Sequence, residues 1–370
     1  MPDPADLPVP ERASGADRRY GDVLASLGWD GQWAAVLGET PLRPARVTRI
    51  DRGLYGVLGA DGPERHGLGP NLLEAAAHDP LDGPCVGDWV TLRDWSDDRT
   101  TIDAVLPRRS LLARAKVGGT SHDQALAANV TTTAVVAGLD QQVSMTKLER
   151  LTALAWESGA APVVLLSKAD LAPDADDVAS DLMQAAPGVE VICCSVVDGR
   201  GIDRLRAIVV AGTVALVGSS GAGKSTLINE IVGDDLLETR QIRADGRGRH
   251  TSVRRELVVV PSGGCLIDTP GLRGVGLSDT GEGLAATFAD IEALIAQCRF
   301  ADCAHDSEPG CAVTDAVESG VLDQRRLASW RKLQREIAWM ARRKDARLRQ
   351  EELRVWKQRT RDNRFARRRR

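Results

Sequence analysis

The chain has 370 residues, 43% of them apolar and 27% charged, with a formal net charge of −4. That length predicts two or three domains, and that composition excludes a collagen-like chain, wholesale disorder and a coiled-coil rod. Taken whole, the charge argues against a strong polyanion binder, yet residues 341–370 hold fourteen basic and four acidic side chains, a net of +10, which leaves −14 on the other 340.

Residues 1–40, rich in Pro, Gly and Asp, read as a loosely ordered extension with one short amphipathic stretch at 23–27. They contain no apolar segment of the export-signal type, and no run of 18 apolar residues occurs anywhere. A cytoplasmic protein without a membrane-spanning helix is therefore expected. Over residues 41–110, short alternating runs at 46–50, 53–58, 86–92 and 100–106 are separated by turn residues. That is the pattern of a small β-barrel. Over 111–280 the period changes. Uninterrupted apolar runs at 133–137, 162–166, 189–193 and 214–217 alternate with helical stretches at 148–156 and 176–185. Such runs predict a parallel, doubly wound α/β sheet. Segments 256–260 and 264–267 read as an antiparallel pair. Beyond Gly271 the strands stop. A helix is expected at 283–296, then a cysteine cluster, then a long charged helix over 316–356 whose Leu333, Ile337, Met340 and Leu348 form a packing stripe. We divide this part into residues 281–340 and a basic helical tail, 341–370. The tail closes on Arg367-Arg368-Arg369-Arg370 and points to nucleic acid or another anionic surface.

Gly218-Ser219-Ser220-Gly221-Ala222-Gly223-Lys224-Ser225 fits the phosphate-loop pattern G-x-x-x-x-G-K-[ST], after one strand and before a helix opening at Thr226. Its glycines let backbone N–H groups turn onto phosphates at the positive end of a helix. Lys224 is expected to reach the β- and γ-phosphates, and the Ser225 hydroxyl to bind Mg²⁺. Asp268-Thr269-Pro270-Gly271 ends a second strand. There Asp268 would hold Mg²⁺ through water, and the Gly271 N–H would meet the γ-phosphate. In Ser167-Lys168-Ala169-Asp170 a carboxylate follows a third strand, and Asp170 is placed to accept from the N1 and N2 donors of guanine. The usual pattern is N-K-x-D. Ser167 departs from it, which leaves an ATP-dependent enzyme as an alternative. Ser195-Val196, after the next strand, is expected to meet the guanine oxygen through its backbone. Only seven of the 48 basic residues are Lys, and Lys168 and Lys224 are two of them. A compact ammonium is not replaceable by a guanidinium at such places.

The base-reading elements, 167–196, precede the phosphate loop, so the nucleotide domain is circularly permuted. Between 234 and 256 an Arg-rich polar segment carries Thr251 and Ser252, one of which is expected to complete Mg²⁺ coordination and make the segment an order–disorder switch. Leu272 stands where many GTPases place a water-orienting Gln. Slow intrinsic hydrolysis follows, with His250 as the internal candidate to hold the water beside Lys224 and Thr251. The same Leu272 leaves open a nucleotide-gated RNA-binding switch with little hydrolysis.

Cys298, Cys303, His305 and Cys311 are close in sequence, and three thiolates with one imidazole make a closed, structural Zn²⁺ set.

Taken together, residues 40–340 resemble the RsgA/YjeQ family of circularly permuted GTPases. The resemblance rests on Val86-Gly87-Asp88-Trp89-Val90, on Ala128-Asn129-Val130, on the permuted order and on Gly246-Arg247-Gly248-Arg249-His250-Thr251. It rests also on the cysteine spacing, followed by Glu308-Pro309-Gly310-Cys311-Ala312-Val313. The resemblance implies an N-terminal OB-fold β-barrel, a circularly permuted α/β P-loop GTPase domain and a C-terminal zinc-binding helical domain. It further implies GTP hydrolysis to GDP stimulated by the small (30S) ribosomal subunit, a role in late maturation of that subunit, and binding to rRNA. A monomer is expected. Ser167, Thr131 and Ser252 depart from the family's usual Asn, Asp and Thr.

Overall fold

The structure, a computed structural model, describes residues 21, 23–114, 123–186, 188–233, 255–269, 281–306 and 308–342. Part of the segment expected to be a loose extension is ordered: residues 23–40 pack onto the body. Leu24, Leu27 and Trp33 are buried there. Helix α1 (Gly31–Leu37) starts on Asp30, whose carboxylate accepts from the Gln32 and Trp33 amides. The Arg109 guanidinium pairs with Asp30, holding its carboxyl well below the usual range, and lies 4.3 Å from the Trp33 ring centroid.

Five strands follow: β1 (Arg43–Asp51), β2 (Leu54–Gly59), β3 (Gly62–Leu68), β4 (Trp89–Asp94) and β5 (Thr100–Val105). Their order is β1-β2-β3-β5-β4, and β1 pairs again with β4, closing an OB-like barrel. Ala45, Val47, Val57, Val90, Leu92 and Ile102 fill it, and Leu72 of helix α2 (Pro70–His78) caps one end. A hairpin absent from the sequence reading, β6 (Leu111–Arg114) with β7 (Gln124–Ala128), leads into the second unit.

That unit contains β8 (Thr132–Gly138), helix α3 (Met145–Glu157), β9 (Ala161–Ser167), α4 (Ala175–Ala185), β10 (Glu190–Cys194), α5 (Ile202–Val210), β11 (Thr213–Gly218), α6 (Lys224–Val232), β12 (Glu256–Val259) and β13 (Cys265–Asp268). The order β10-β9-β8-β11-β13 is parallel, and β12 closes the edge antiparallel. The apolar strand runs are buried on both faces, as a sheet covered by helices requires. β12 also meets β1 at the pair Arg49–Glu256, so barrel and α/β sheet form one eleven-stranded sheet.

The helix expected at 283–296 is two, α7 (Glu282–Thr287) and α8 (Ala289–Ile295), broken at Phe288. The long helix expected from 316 is likewise divided. α9 (Ala312–Glu318) ends before Gly320, which takes φ +76°, and α10 spans 324–342. Of the predicted stripe, Leu333 is fully buried and Ile337 and Met340 half-buried; Leu348 lies outside the described residues.

The junction between barrel and sheet is held by one buried cation. Arg46 of β1 is 1% exposed. Its Nε donates to the Gly87 carbonyl at 3.1 Å, Nη1 to the Leu27 carbonyl and to Thr213 Oγ1 at 2.9 Å, and Nη2 to the Asn129 carbonyl at 3.1 Å. Its guanidinium lies 5.5 Å from the Trp89 ring centroid. Among the described residues no carboxylate pairs with it. Burial pushes its pKa down, while Cys265 and Asp88 pull it back up. An ion pair braces the same corner: fully buried Asp88 receives Nε and Nη2 of Arg108, both at 2.8 Å. Replacing Arg46 by Met would leave several buried acceptors unmet, each costing about 1–3 kcal/mol. We therefore expect Arg46→Met to lower stability in urea by about 3 kcal/mol or more; a change under about 1 kcal/mol would show that the junction stands without it.

Candidate functional site

The predicted nucleotide elements come together at the carboxyl ends of the parallel strands, where open α/β sheets bind ligands. Strand β11 delivers the loop 218–223 to helix α6. Gly223 sits at its N-cap with φ +82°, a left-handed conformation that favours glycine. Lys224 is buried, and its Nζ donates to the carbonyl oxygens of Gly218 at 3.1 Å and Ser219 at 2.7 Å. Burial pushes its pKa down, Asp268 pulls it up, and Lys147 pushes it down again. Ser225 is half-buried on the first turn of α6, whereas Ser220, Gly221 and Thr226 are exposed. Asp268 ends β13, in register with Leu216 of β11, and the Thr269 hydroxyl donates to the Leu216 carbonyl at 2.6 Å. The ends of β11 and β13 are thereby locked side by side.

The base-reading elements stand next to this loop. Ser167 is buried at the end of β9, and its hydroxyl donates to the Ala222 carbonyl at 2.6 Å. A single hydroxyl thus ties the base-reading loop to the phosphate loop across 55 residues of sequence. Lys168 takes a left-handed φ of +59°, and its Nζ bonds Asp140 at 2.7 Å, which lowers the Asp140 pKa. Exposed Asp170 receives the Ser195 hydroxyl at 2.7 Å, while the same Ser195 oxygen accepts from the amides of Val197 at 3.1 Å and Asp198 at 3.4 Å. Ser195 therefore fixes both the Asp170 carboxylate and the turn that follows β10. Val196 is half-buried against the core beneath. Gly271, His250 and Thr251 lie outside the described residues, as do Ser252 and Leu272.

Two residues at this site were not singled out in the sequence. One is Asp140, the partner of Lys168. The other is Lys147 on the first turn of α3, whose Nζ bonds the Ser219 hydroxyl of the phosphate loop. Neither lies in a sequence motif; the fold alone brings them to the site.

Cys298, Cys303, His305 and Cys311 also converge. Their ligand atoms all lie within 4.8 Å of one another. Cys298 Sγ stands 3.9 Å from Cys311 Sγ and 3.5 Å from His305 Nδ1, and Cys311 Sγ stands 3.6 Å from the same nitrogen. A tetrahedral ion with metal–sulfur bonds of about 2.3 Å and a metal–nitrogen bond of about 2.05 Å requires edges of about 3.8 and 3.5 Å. The residues fit. His305 is buried, takes a φ of +60°, and its ring packs edge-on to Trp330 of α10 with centroids 6.0 Å apart.

The sequence falls in step with known proteins. A family model described as RsgA GTPase matches residues 105–278. A protein of Streptomyces coelicolor named small ribosomal subunit biogenesis GTPase RsgA is 46% identical over 344 residues, 91% of this chain and 93% of that protein. The chain belongs to the RsgA GTPase family. Another RsgA, from Lactiplantibacillus plantarum, is 44% identical over 80% of this chain and 83% of its own. Among solved structures, YjeQ from Thermotoga maritima, 24% identical, matches with a TM-score of 0.59 over 81% of this chain and 99% of its own. YloQ, described as a circularly permuted GTPase, is also 24% identical and matches with a TM-score of 0.55 over 82% of this chain and 96% of its own. As an RsgA GTPase the chain is a GTP-hydrolysing enzyme that uses Mg²⁺. Its substrate is then GTP, so the ATP alternative falls.

The cysteine geometry generates a prediction. Metal analysis of the purified chain is expected to find about one tightly held ion per chain, lost in Cys298→Ser. Full retention of the ion in that variant would remove Cys298 from the set.

Proposed function

We propose that this chain hydrolyses GTP to GDP and phosphate on the small ribosomal subunit, acting late in that subunit's maturation and binding its rRNA. The observation that carries the reading is the extent of the match to proteins named for small ribosomal subunit biogenesis: nine-tenths of both chains at 46% identity. The local geometry supports it. The Ser167–Ala222 bond joins a guanine-reading loop to a phosphate loop, which is what a guanine nucleotide spanning both needs.

In this reading the phosphate loop 218–223 wraps the phosphates with its amides, with Thr226 just behind it, and Lys224 moves from the loop carbonyls onto the β- and γ-phosphates. Ser225, Asp268 and Thr251 would hold Mg²⁺, which supplies charge neutralisation when bound. Ser167, Lys168, Asp170, Ser195 and Val196 read guanine. The Gly271 amide meets the γ-phosphate, and His250 holds the attacking water. Catalysis is then largely positioning and electrostatic stabilisation of charge on the transferred group.

Zinc is the ion we assign to Cys298, Cys303, His305 and Cys311. Three thiolates and one imidazole, with no open position, suit a structural site that ties together the loops between α8 and α9. We assign 41–110 to the barrel, 111–280 to the GTPase domain, 281–340 to the zinc domain and 341–370 to a basic tail that contacts rRNA phosphates. The chain works as a monomer in the cytoplasm; among the described residues no helix is long and apolar enough to cross a membrane.

With Leu272 in place of a water-orienting amide, the free enzyme is expected to turn over slowly. Purified small subunits should raise GTP turnover by about 10²-fold or more, because they complete the water-positioning machinery. Large subunits and naked rRNA should not. Equal rates with and without small subunits would overturn the assignment.

A further inference from the structure

The first turn of helix α3 touches the phosphate loop. Lys147, on its first turn, is exposed, and its ammonium bonds the Ser219 hydroxyl. Lys224 bonds the carbonyl of the same Ser219 and that of Gly218. Two ammonium groups from different elements thus converge on one end of the phosphate loop. Among the described residues no carboxylate pairs with Lys147. Like charges held this close repel one another unless an anion lies between them. Burial is the main reason the Lys224 pKa is depressed, and the nearby Lys147 charge adds to it.

The position along the loop says which part of the nucleotide would supply that anion. The base-reading loop touches the opposite end: Ser167 bonds the Ala222 carbonyl, and its oxygen lies 3.4 Å from where a Gly223 Cβ would stand. A nucleotide whose base sits by Ser167 and Asp170 would run its phosphates away from Ala222, the last of them toward Ser219. A diphosphate ends one phosphate short.

We propose that Lys147 is a second phosphate-binding cation that contacts the γ-phosphate and makes this site favour the triphosphate over the diphosphate. The Ser219 hydroxyl aims its ammonium at the loop. The proposal rests on reading the site as a guanine-nucleotide site. It adds a cation from α3 to those that the phosphate-loop motif supplies.

The same turn of α3 faces the C-terminal region on its other side. Glu149, 5% exposed, accepts from Arg326 at 3.4 Å and from Arg325 at 3.3 Å, and Arg150 pairs with Glu336. A γ-phosphate that captures Lys147 therefore pulls on the helix turn to which α10 is bolted.

The test is equilibrium binding of GDP and of the non-hydrolysable β,γ-imido analogue of GTP to the full chain, comparing wild type, Lys147→Met and Lys147→Arg. Lys147 is exposed, so neither variant threatens folding. Losing one charge-assisted contact should weaken the imido triphosphate about tenfold in Lys147→Met, leave GDP within about twofold, and be largely restored in Lys147→Arg. Equal weakening of both nucleotides, or of neither, in Lys147→Met overturns the proposal while the site reading stands. A wild-type chain that binds neither nucleotide overturns both.

Discussion

The molecule turns on a buried guanidinium that has no carboxylate partner among the described residues. Arg46 lies on the first barrel strand, yet its donors reach the N-terminal segment at Leu27, the barrel turn at Gly87, the entry to the α/β unit at Asn129 and the phosphate-loop strand at Thr213. A buried charge is tolerated only when its hydrogen bonds are met, and each of these partners meets one. Four segments far apart in sequence must therefore arrive together. Trp89 covers the cation's face, and Trp29 and Trp33 pack around Trp89. This corner makes the barrel and the GTPase sheet continuous rather than merely tethered, and it fixes the base of β11 whose other end carries the phosphate loop.

A second constraint runs through α3. Its first turn touches the phosphate loop at Ser219, and its middle is pinned by Glu149 and Arg150 to α10. Arg326, one of the partners of Glu149, also grips Asp290 of α8 through two nitrogens at 2.7 and 2.6 Å and lies 4.6 Å from the Phe288 ring. A Cβ on Gly283 of α7 would fall 2.1 Å from the Ala153 carbonyl of α3, so those two helices touch backbone to backbone. The nucleotide site and the metal-bearing helices thus share one rigid element. That link comes from α3, which precedes the phosphate loop in the chain.

Much of this was legible in the sequence. The five strands of the parallel sheet are uninterrupted apolar runs, and no solvated segment has that pattern. The phosphate loop and the cysteine set are local in sequence, so their spacing alone carries their chemistry. The rest depends on contacts between distant residues. β3, Gly62–Leu68, is half-exposed and carries Gly, Pro and Arg; it is a strand because β2 and β5 offer it partners. α1 escaped notice because its one buried apolar side chain, Trp33, stands among polar residues and glycines and finds its partner in distant Trp89. Arg46, Glu149 and Lys147 look like ordinary surface charges on their own elements. Their partners lie 167, 177 and 72 residues away.

The central claim is that a permuted chain rebuilds one guanine-nucleotide site by setting Asp170 and its loop against the phosphate loop. The most direct measurement is competition binding of GTP, ATP and XTP to wild type and to Asp170→Asn. A carboxylate there accepts from the two guanine donors, whereas an amide offers a donor that suits the xanthine C2 carbonyl. The wild-type chain should prefer GTP to ATP and XTP, and Asp170→Asn should lose about 10- to 100-fold in GTP affinity while gaining XTP. Unchanged GTP preference in Asp170→Asn, or ATP competing as well as GTP in the wild type, would contradict the account.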